Sequence, residues 1–512
     1  MHEQKILIID YGSQYTQLIA RRIRENKTYC EVIQPESINK KNNFDRVIGI
    51  ILSGGPNSVT ANNNYDLPDT LFKNNVPILG ICFGMQLLCK KFNGKIQDSI
   101  SREYGKALLK IKKDEKIFND LDEELEVWMS HGDSVTEAPV NFSIIASTNK
   151  KNISAIKSND KEIYGFQFHP EVTHTLDDGK IIYNFVKNIC KSNSKWTTKN
   201  IINNQIADIK ERVKNDNVIL GLSGGVDSSV AAAIIHKAIK NQLTCIFIDN
   251  GLLRLNEKEQ VELGFKDFQD IKIIYVDSSK LFLEKLKNIT DPEKKRKIIG
   301  KTFIDVFQKE AKKIKNVKWL AQGTIYPDVI ESAASSDSAH LIKSHHNVGG
   351  LPKNIKLNLV EPLRELFKDE VRKLGNDLGI NKKLINRHPF PGPGLAVRIL
   401  GDVKKEYADT LRQADHIFIS MLHEKKLYNQ ISQAFTVLMP VKSVGVTGDG
   451  RSYGNVVSLR AVKTIDFMTA KPFDFPFDFL EEVSTKIIND VPGISRVCLD
   501  ISSKPPATIE WE

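Results

Sequence analysis

Cys82 stands among residues whose types favour nucleophilic chemistry. It lies in Gly80-Ile81-Cys82-Phe83-Gly84, between an apolar strand-like segment at residues 76–81 and a helical segment at residues 85–91. Glycines two residues away on each side permit the sharp strand-to-helix turn that lifts a nucleophile out of the backbone. The N-terminus of the following helix favours the thiolate. Backbone N–H groups of Phe83 and Gly55 are predicted to form an oxyanion hole.

A general base for this thiol is predicted at His169, in the run Gly165-Phe166-Gln167-Phe168-His169-Pro170-Glu171. Residues 165–168 alternate as a strand does, and Pro170 holds His169 extended. His169 and Glu171, at i and i+2, then share one face. A carboxylate at that spacing orients the imidazole and fixes its tautomer. The competing histidine, His131, is assigned a binding or structural role, and Cys89 is interpreted as a core residue.

A second group of residues has the pattern of a phosphate-binding loop. An apolar strand at residues 218–222 runs into Ser223-Gly224-Gly225-Val226-Asp227-Ser228-Ser229 and then into an apolar helix at residues 230–238. Glycines let backbone N–H groups approach an anion, and serine hydroxyls add donors at the helix N-terminus. Asp227 is placed to hold Mg²⁺. The loop lacks the Gly-Lys-Ser/Thr ending of a Walker A motif. Its alternative interpretation is an ordinary turn with a helix cap.

A third group follows at residues 323–332 and 343–353. Asp328 and Glu331 are one helical turn apart and are predicted to serve a second Mg²⁺ or substrate. Residues 343–353 combine glycines with basic side chains and end at Lys353, as a mobile lid over phosphates would. A solvated surface loop is the alternative interpretation of this segment.

Alternating apolar runs and helical patterns must position these groups. Residues 5–190 and the stretch from residue 196 onward both have the rhythm of an α/β fold with a mostly parallel sheet. A helix led by residues 361–364 is predicted to bury Leu366, Val371 and Leu374. After a turn-rich segment at residues 387–394, the remainder is predicted to be a smaller α+β domain. The predicted domains are residues 1–192, 193–386 and 387–512.

Composition narrows the class of protein further. The chain has 512 residues, of which 41% are hydrophobic and 27% are charged, the balance of a globular protein with about three domains. Lys plus Arg is 73 and Asp plus Glu is 63, so the formal net charge is +10. The basic residues are scattered, which argues against nucleic acid as a partner. The six cysteines form no Cys-x-x-Cys pair. With no signal-peptide core or membrane-spanning apolar run, a cytoplasmic protein is expected.

Two family resemblances follow from these motifs. Gly80-Ile81-Cys82-Phe83-Gly84-Met85-Gln86 with His169-Pro170-Glu171 resembles the class I glutamine amidotransferases. That resemblance implies Cys82 as nucleophile, His169 as general base and acid, and Glu171 as the group that orients His169. The loop at residues 223–229 resembles that of the N-type ATP pyrophosphatases, which cleave ATP to AMP and pyrophosphate while adenylating a substrate oxygen. ATP binding is accordingly predicted for Ser223, Gly224, Gly225, Val226, Asp227, Ser228, Ser229 and Lys353, and metal binding for Asp227 and Asp328.

The presence of these two domains on one chain resembles the glutamine-hydrolysing GMP synthase family. The terminal run at residues 504–512 resembles the same family. The resemblance implies a ligase that converts XMP, ATP and L-glutamine into GMP, with Mg²⁺ as cofactor and a homodimer formed through the C-terminal domain. It also implies XMP-binding residues, of which the basic side chains suit a nucleotide phosphate and Glu510 suits hydrogen bonds from the ribose or base. The candidates are Arg296, Arg387, Gly392, Gly394, Lys504 and Glu510, and ordinary structural roles are the alternative for each.

Other functions would need features that the sequence lacks. Glutamine-dependent NAD synthetase uses a nitrilase-like glutaminase, and asparagine synthetase uses an N-terminal cysteine, whereas this sequence begins Met1-His2. A tRNA-thiolating enzyme would require further reactive cysteines near the phosphate loop. The cysteine of that predicted domain is Cys245, which lies within an apolar strand. A non-catalytic RNA-binding module would leave two complete motifs without a role.

Overall fold

The computed structural model describes residues 3–39, 44–59, 65–73, 75–148, 152–266, 268, 270–334, 357–447, 450–464, 467 and 469–512. The chain folds into two compact units, Met1–Ile201 and Ile202–Glu512. The boundary predicted between residues 192 and 193 lies near this division, and the one between residues 386 and 387 lies within the second unit. Both boundaries stay predictions.

The first unit is an α/β structure built on one mixed sheet. The strands of its described residues are β1 (Lys5–Ile9), β2 (Cys30–Ile33), β3 (Val47–Leu52), β4 (Ile78–Ile81), β5 (Lys95–Ile111), β6 (Glu124–Glu137), β7 (Phe142–Thr148), β8 (Ile153–Ser158) and β9 (Ile163–Phe166). The helices are α1 (Thr16–Glu25), α2 (Phe83–Lys91) and α3 (Lys180–Tyr183), the last continuing into a π-helical turn at Asn184–Ile189.

The strand order across this sheet is β2-β1-β3-β4-β9-β8-β7-β5-β6. The pairings from β2 to β9 are parallel, and those from β9 to β6 are antiparallel. β1, β4 and β9 are buried almost continuously, as parallel strands covered on both faces are. β6 instead alternates buried and partly exposed residues, since it has one solvated face. The antiparallel half was not foreseen from the sequence.

The second unit contains a five-stranded sheet and a four-stranded sheet. Its strands are β10 (Asn217–Gly221), β11 (Leu243–Asp249), β12 (Lys272–Asp277), β13 (Val317–Ala321), β14 (Asn358–Val360), β15 (Gln433–Thr447), β16 (Gly450–Lys463), β17 (Lys471–Pro472) and β18 (Ile494–Asp500). The helices from residue 198 onward are α4 (Thr198–Val213), α5 (Val226–Ile239), α6 (Glu257–Gly264), α7 (Ser279–Leu286), α8 (Pro292–Ala311), α9 (Tyr326–Ala334), α10 (Lys368–Asp377), α11 (Lys382–Ile385), α12 (Lys405–Glu424) and α13 (Phe477–Asp490).

The first sheet of this unit is parallel throughout, in the order β12-β11-β10-β13-β14. β10 occupies the centre, so the loop that follows it lies at the carboxyl edge, where α/β proteins bind ligands. The second sheet pairs β15 with β16 antiparallel, and β16 also pairs with β17 and β18. One hydrophobic core runs from Ile219 and Ile246 to Leu411 and Val457, which joins both sheets into one unit.

The predicted α/β fold class is confirmed, with one correction to a helix. Residues 362–365 form turns, and α10 begins only at Lys368. The reason is the helix cap, because the Glu370 carboxylate accepts a hydrogen bond from the Phe367 backbone N–H at 2.9 Å. Val371 is buried by α10 as expected, whereas Leu366 is buried from the preceding turn.

No helix among the described residues is long and apolar enough to span a bilayer.

Candidate functional site

Cys82 occupies a strained turn between β4 and α2. Its backbone has φ 50° and ψ −103°, a positive φ that L-residues rarely adopt. A Cβ on Gly80 would lie 2.6 Å from the carbonyl group of Gly84, and a Cβ on Gly84 would lie 2.4 Å from the carbonyl oxygen of Leu52. Both glycines are therefore required for the close approach of α2 to the sheet. The turn places the thiol at the N-terminus of α2, as the sequence predicts.

His169 lies just beyond β9, in a turn that is held by hydrogen bonds to its own backbone. Its N–H donates to the carbonyl oxygen of Trp128 at 3.1 Å, and its carbonyl oxygen accepts from the Thr175 hydroxyl at 2.7 Å. The ring nitrogen Nδ1 lies 2.7 Å from Oε1 of Glu171. Glu171 is 1% exposed, so this ion pair is shielded from water. The carboxylate thereby fixes the orientation of the imidazole.

The Cys82 and His169 side chains meet over Gly54. A Cβ on Gly54 would lie 3.2 Å from Cε1 of His169 and 3.7 Å from Cβ of Cys82, so both side chains contact one point of the backbone. Burial lowers the pKa of His169, but the charge of Glu171 and a hydrogen bond with Cys82 raise this pKa well above its usual value. The imidazolium is therefore favoured at neutral pH, where it can pair with a Cys82 thiolate.

The residues predicted for the oxyanion hole lie next to one another. Phe83 is the first residue of α2, and a Cβ on Gly55 would lie 3.3 Å from its ring. Backbone N–H groups in the first helical turn have no acceptor within the helix, which leaves that of Phe83 to point toward an anion. The Phe83 ring packs edge-on against Tyr11 and Tyr65, at centroid distances of 5.6 and 5.8 Å. The oxyanion role itself stays a prediction.

His131 is held by backbone contacts on β6. Its Nδ1 lies 3.0 Å from the carbonyl oxygen of Asp133. Asp133 stands at i+2 from this histidine, the spacing that Glu171 has from His169. Its carboxylate, however, accepts from the Ser58 hydroxyl at 2.6 Å and from the Val59 N–H at 3.1 Å. The binding or structural role assigned to His131 stays a prediction.

Gln167 was missed by sequence reasoning, although it stands within the motif around His169. It is 1% exposed, and its Nε2 lies 3.8 Å from Sγ of Cys82. An amide in an otherwise apolar strand, Phe166-Gln167-Phe168, is the signal that could have indicated it.

The residues of the predicted phosphate loop form the turn between β10 and α5 and the start of α5. Gly224 has φ +74°, and the Gly225 N–H donates to the Ser223 hydroxyl at 3.3 Å. The hydroxyls of Ser223 and Ser228 are 2.9 Å apart, which ties the two ends of the loop together. Ser229 is fully buried in the first turn of α5. The loop thus presents a helix N-terminus at the carboxyl edge of the parallel sheet.

Asp227 is paired with a lysine that the sequence did not indicate. Its Oδ2 accepts from Nζ of Lys368, the first residue of α10, at 2.6 Å. Its Oδ1 is buried and has no hydrogen-bond partner among the described residues. Mg²⁺ in nucleotide sites is commonly held by one or two carboxylates together with substrate phosphates. One free carboxylate oxygen beside a phosphate loop fits that requirement.

The structure describes only some of the other residues predicted to bind Mg²⁺, ATP or substrate in this region. Asp328 caps α9, since its Oδ2 accepts from the Ile325 N–H at 3.0 Å. Within the ranges that the structure describes, no cluster of three or more His, Cys, Asp or Glu side chains could hold a metal. The side chain of Glu331 and all of residues 343–353, including Lys353, lie outside the described residues.

Arg387 lies against the phosphate loop. It donates to the carbonyl oxygen of Gly224 at 3.1 Å and pairs with the carboxylate of Glu257 at 2.6 Å. Both side chains of this pair are largely buried. The arginine therefore braces the loop from the segment that leads into the last part of the chain. A neighbouring cavity of about 1070 Å³ reaches Glu257 but is not lined by residues 223–229.

Arg296 and Glu510 both lie near the last residues of the chain. Arg296 donates to the carbonyl oxygen of Glu512. Glu510 accepts from Arg398 through both oxygens, at 2.8 and 3.1 Å, and from Gln433 at 2.7 Å. In this arrangement, the glutamate is held by a bidentate pair.

The remaining candidates for XMP binding occupy turns. Gly394 is in contact with Leu252, whose carbonyl oxygen would lie 2.3 Å from an added Cβ, and Gly392 is exposed. Lys504 donates from Nζ to the carbonyl oxygen of Phe467 at 2.7 Å. No contact described here joins these residues to Arg296 or Glu510.

Comparison with known families accounts for most of the chain. Residues 7–189 match the family described as glutamine amidotransferase class-I, residues 198–276 match NAD synthase, and residues 420–511 match the GMP synthase C terminal domain. A glutamine amidotransferase structure from Thermotoga maritima covers 37% of this chain and 85% of its own at 20% identity, but its TM-score is only 0.30. The three family matches define the class as a glutamine-dependent ligase, with an amidotransferase domain and an ATP pyrophosphatase domain on one chain.

Curated relatives narrow this class to one family. The chain is 57% identical to "GMP synthase [glutamine-hydrolyzing]" of Vibrio vulnificus strain CMCP6 over 516 residues, which cover 100% of this chain and 99% of the relative. The proteins of the same name from Tolumonas auensis and Aliivibrio salmonicida are also 57% identical, with the same coverage. The chain belongs to the glutamine-hydrolysing GMP synthase family, as the sequence motifs predict.

Proposed function

We propose that this chain catalyses ATP + XMP + L-glutamine + H₂O → GMP + L-glutamate + AMP + diphosphate. The observation that carries the proposal is the presence of two chemically different sites on one chain. One has a buried Cys-His-Glu arrangement suited to release ammonia from an amide, and the other has a phosphate loop suited to ATP. Ammonia made at the first site needs an electrophile made at the second.

In the glutaminase half-reaction, Cys82 attacks the side-chain amide carbon of glutamine. The oxyanion is stabilised by the N–H groups of Phe83 and Gly55. His169, oriented by Glu171 at 2.7 Å, donates its proton to the departing ammonia and leaves a γ-glutamyl thioester. The imidazole then takes a proton from water, which attacks the thioester, so that glutamate leaves and the thiol is restored.

In the synthetase half-reaction, ATP is bound by the loop at residues 223–229. The C2 oxygen of XMP attacks the α-phosphorus, and diphosphate leaves. Ammonia then adds to C2, and AMP departs with the former C2 oxygen. Lys368, 2.6 Å from Asp227, is placed to neutralise phosphate charge as diphosphate forms. Mg²⁺, when bound at Asp227 with Asp328 as the second proposed ligand, supplies further charge neutralisation to the phosphates.

We also propose that XMP binds to six residues of the second unit. Arg296 and Glu510 lie against the chain's last residues, and Arg387, Gly392 and Gly394 belong to the connecting turn. Lys504, exposed in part, supplies a further positive charge. In this proposal, the ion pairs of Glu510 with Arg398 and of Arg387 with Glu257 are exchanged in part for contacts to the nucleotide.

We also propose a homodimer formed through the C-terminal part, as the family resemblance implies. The β15–β16 pair exposes Val444, Val446 and Tyr453, which are 50%, 78% and 63% accessible. Apolar side chains at that level of exposure on neighbouring strands favour contact with a second copy. We place the reaction in the cytoplasm, where ATP and nucleotide substrates are found. None of the six cysteines, all within the described residues, forms a disulfide bond.

The test is a product assay with purified protein, ATP, Mg²⁺, glutamine and one acceptor at a time. XMP should give AMP and GMP in equal amounts, and omission of Mg²⁺ should abolish both. Nicotinate adenine dinucleotide is the competing acceptor because residues 198–276 match NAD synthase. Equal or greater AMP release with that acceptor would contradict the proposal.

A further inference from the structure

Gln167 lies beside Cys82 because of the register of two parallel strands. β4 and β9 pair Ile81 with Phe166, and the Cys82 N–H donates to the carbonyl oxygen of Phe166 at 2.6 Å. Cys82 and Gln167 are the residues that directly follow these two strands. The side-chain nitrogen of Gln167 lies 3.8 Å from Sγ of Cys82. Its side chain is 1% exposed, so water does not compete for this contact.

A neighbouring amide determines which end of the Gln167 side chain faces the sulfur. Nε2 of Gln86 donates to the carbonyl oxygen of Asp133 at 2.9 Å, and a carbonyl oxygen can only accept. The same nitrogen lies 3.5 Å from Oε1 of Gln167. The Gln167 oxygen therefore faces Gln86, and its NH₂ group faces Cys82. The amide orientation follows from this chain of contacts.

The groups around Sγ of Cys82 form different hydrogen bonds with the thiol and with the thiolate. The neutral thiol can donate to the carbonyl oxygen of Ser130, 3.6 Å away. The thiolate has no proton to donate there. The Gln167 NH₂ group can only donate to the sulfur, and hydrogen bonds to a charged acceptor are stronger than those to a neutral one. Gln167 therefore shifts the balance toward the thiolate.

We propose that Gln167 is a further catalytic residue of the glutaminase site, which stabilises the Cys82 thiolate by a hydrogen bond from its side-chain amide. The inference rests on the proposed function, in which Cys82 is the nucleophile. Gln167 does not titrate, so its contribution persists at pH values where His169 is neutral. When water hydrolyses the thioester, the C–S bond breaks and its electron pair returns to the sulfur, where the same donor stabilises it.

The test replaces Gln167 by methionine, which has a similar length but no N–H donor. Alkylation of Cys82 by iodoacetamide is followed against pH by mass spectrometry of its peptide, in a Cys498→Ser background because Cys498 is the exposed cysteine. The alkylation midpoint should rise by about one pH unit, with an about tenfold slower reaction at neutral pH. The kcat for glutamine should fall about tenfold with KM within about twofold, and ammonium-dependent GMP formation should be unchanged.

Two further variants complete the test. Gln97→Met makes the same change at an exposed position on β5 and should leave the alkylation profile unchanged. Gln167→Glu keeps an acceptor for Gln86 but offers no donor to the sulfur, and it carries the test if the methionine variant does not fold. Its midpoint should rise further, because a carboxylate repels the thiolate. A folded variant at residue 167 with the wild-type midpoint would overturn the role of Gln167. Full glutamine-dependent activity in Cys82→Ala would instead refute the proposed function.

Discussion

Replacing Glu171 by glutamine tests the electrostatic part of the glutaminase mechanism. The carboxylate contacts Nδ1 of His169 at 2.7 Å, and the two side chains are 1% and 3% exposed. A hydrogen bond to a charged group contributes about 1.5–3 kcal/mol, and burial of both partners favours the upper end of that range. The imidazolium, and with it the thiolate–imidazolium pair, should therefore be destabilised about 10- to 150-fold. Glutamine-dependent GMP formation should fall by a similar factor.

The pH dependence of this variant follows from the direction of the pKa shift. In the wild type, burial lowers the pKa of His169, but Glu171 and Cys82 raise it well above the usual value. The imidazolium is therefore present at neutral pH and is lost only as the pH rises through that raised pKa. Without the carboxylate, the loss begins at a lower pH. The alkaline limb of the glutamine-dependent activity should move to lower pH in Glu171→Gln.

The assay compares GMP formation from XMP and ATP with glutamine or with ammonium chloride as the nitrogen source, from pH 6 to pH 10. The ammonium-dependent rate reports on the synthetase site and should not change. Glu123→Gln makes the same substitution at an exposed position and should behave as the wild type. An unchanged alkaline limb in Glu171→Gln would refute the assigned role of the ion pair. An equal loss of both activities would show that the variant acts through folding.

Three further predictions concern the loop at residues 223–229, the arginine that contacts it and the turn at Cys82. Asp227→Asn should lower XMP-dependent AMP release at least about 100-fold, because it removes charge from the carboxylate proposed to bind Mg²⁺; titration with Mg²⁺ checks this. Arg387→Lys should raise the KM for ATP about tenfold, since lysine cannot reproduce the two contacts to Gly224 and Glu257; steady-state kinetics measures it. Gly84→Ala should lower the free energy of unfolding by about 2 kcal/mol, because the added methyl would lie 2.4 Å from the Leu52 carbonyl oxygen; urea denaturation measures it.

Matched substitutions separate these effects from general damage. Asp377→Asn and Arg212→Lys change exposed residues of the second unit and should leave ATP kinetics as in the wild type. Gly132→Ala adds a methyl where no atom lies within 4 Å, so its stability should be near that of the wild type. Normal AMP release by Asp227→Asn, an unchanged KM in Arg387→Lys, or equal stabilities of the two alanine variants would each contradict the corresponding assignment.

Sequence patterns predicted the features that depend on local spacing. The turn at Cys82 follows from two glycines and an apolar strand, and the loop at residues 223–229 follows from its place between a strand and a helix. The His169–Glu171 contact is also local, because the two residues are two positions apart. Each of these features is specified within one short segment, where backbone geometry limits the outcomes.

Contacts between distant segments were not predictable in the same way. Gln167 meets Cys82 across 85 residues because β4 and β9 are neighbours in the sheet, and the sequence does not give strand order. Lys368 meets Asp227 across 141 residues. Its position depends on α10 beginning at residue 368 rather than at residues 361–364, where the sequence predicted a helix. The Glu370 cap determines this start.

The central claim is that ammonia release and XMP amination occur at separate sites, the first of which depends on Cys82. The most direct test measures GMP formation by Cys82→Ala from XMP and ATP, with glutamine and with ammonium chloride. We expect no glutamine-dependent GMP formation and an ammonium-dependent rate equal to that of the wild type. Loss of both activities in a folded variant, or persistence of the glutamine-dependent activity, would contradict the account.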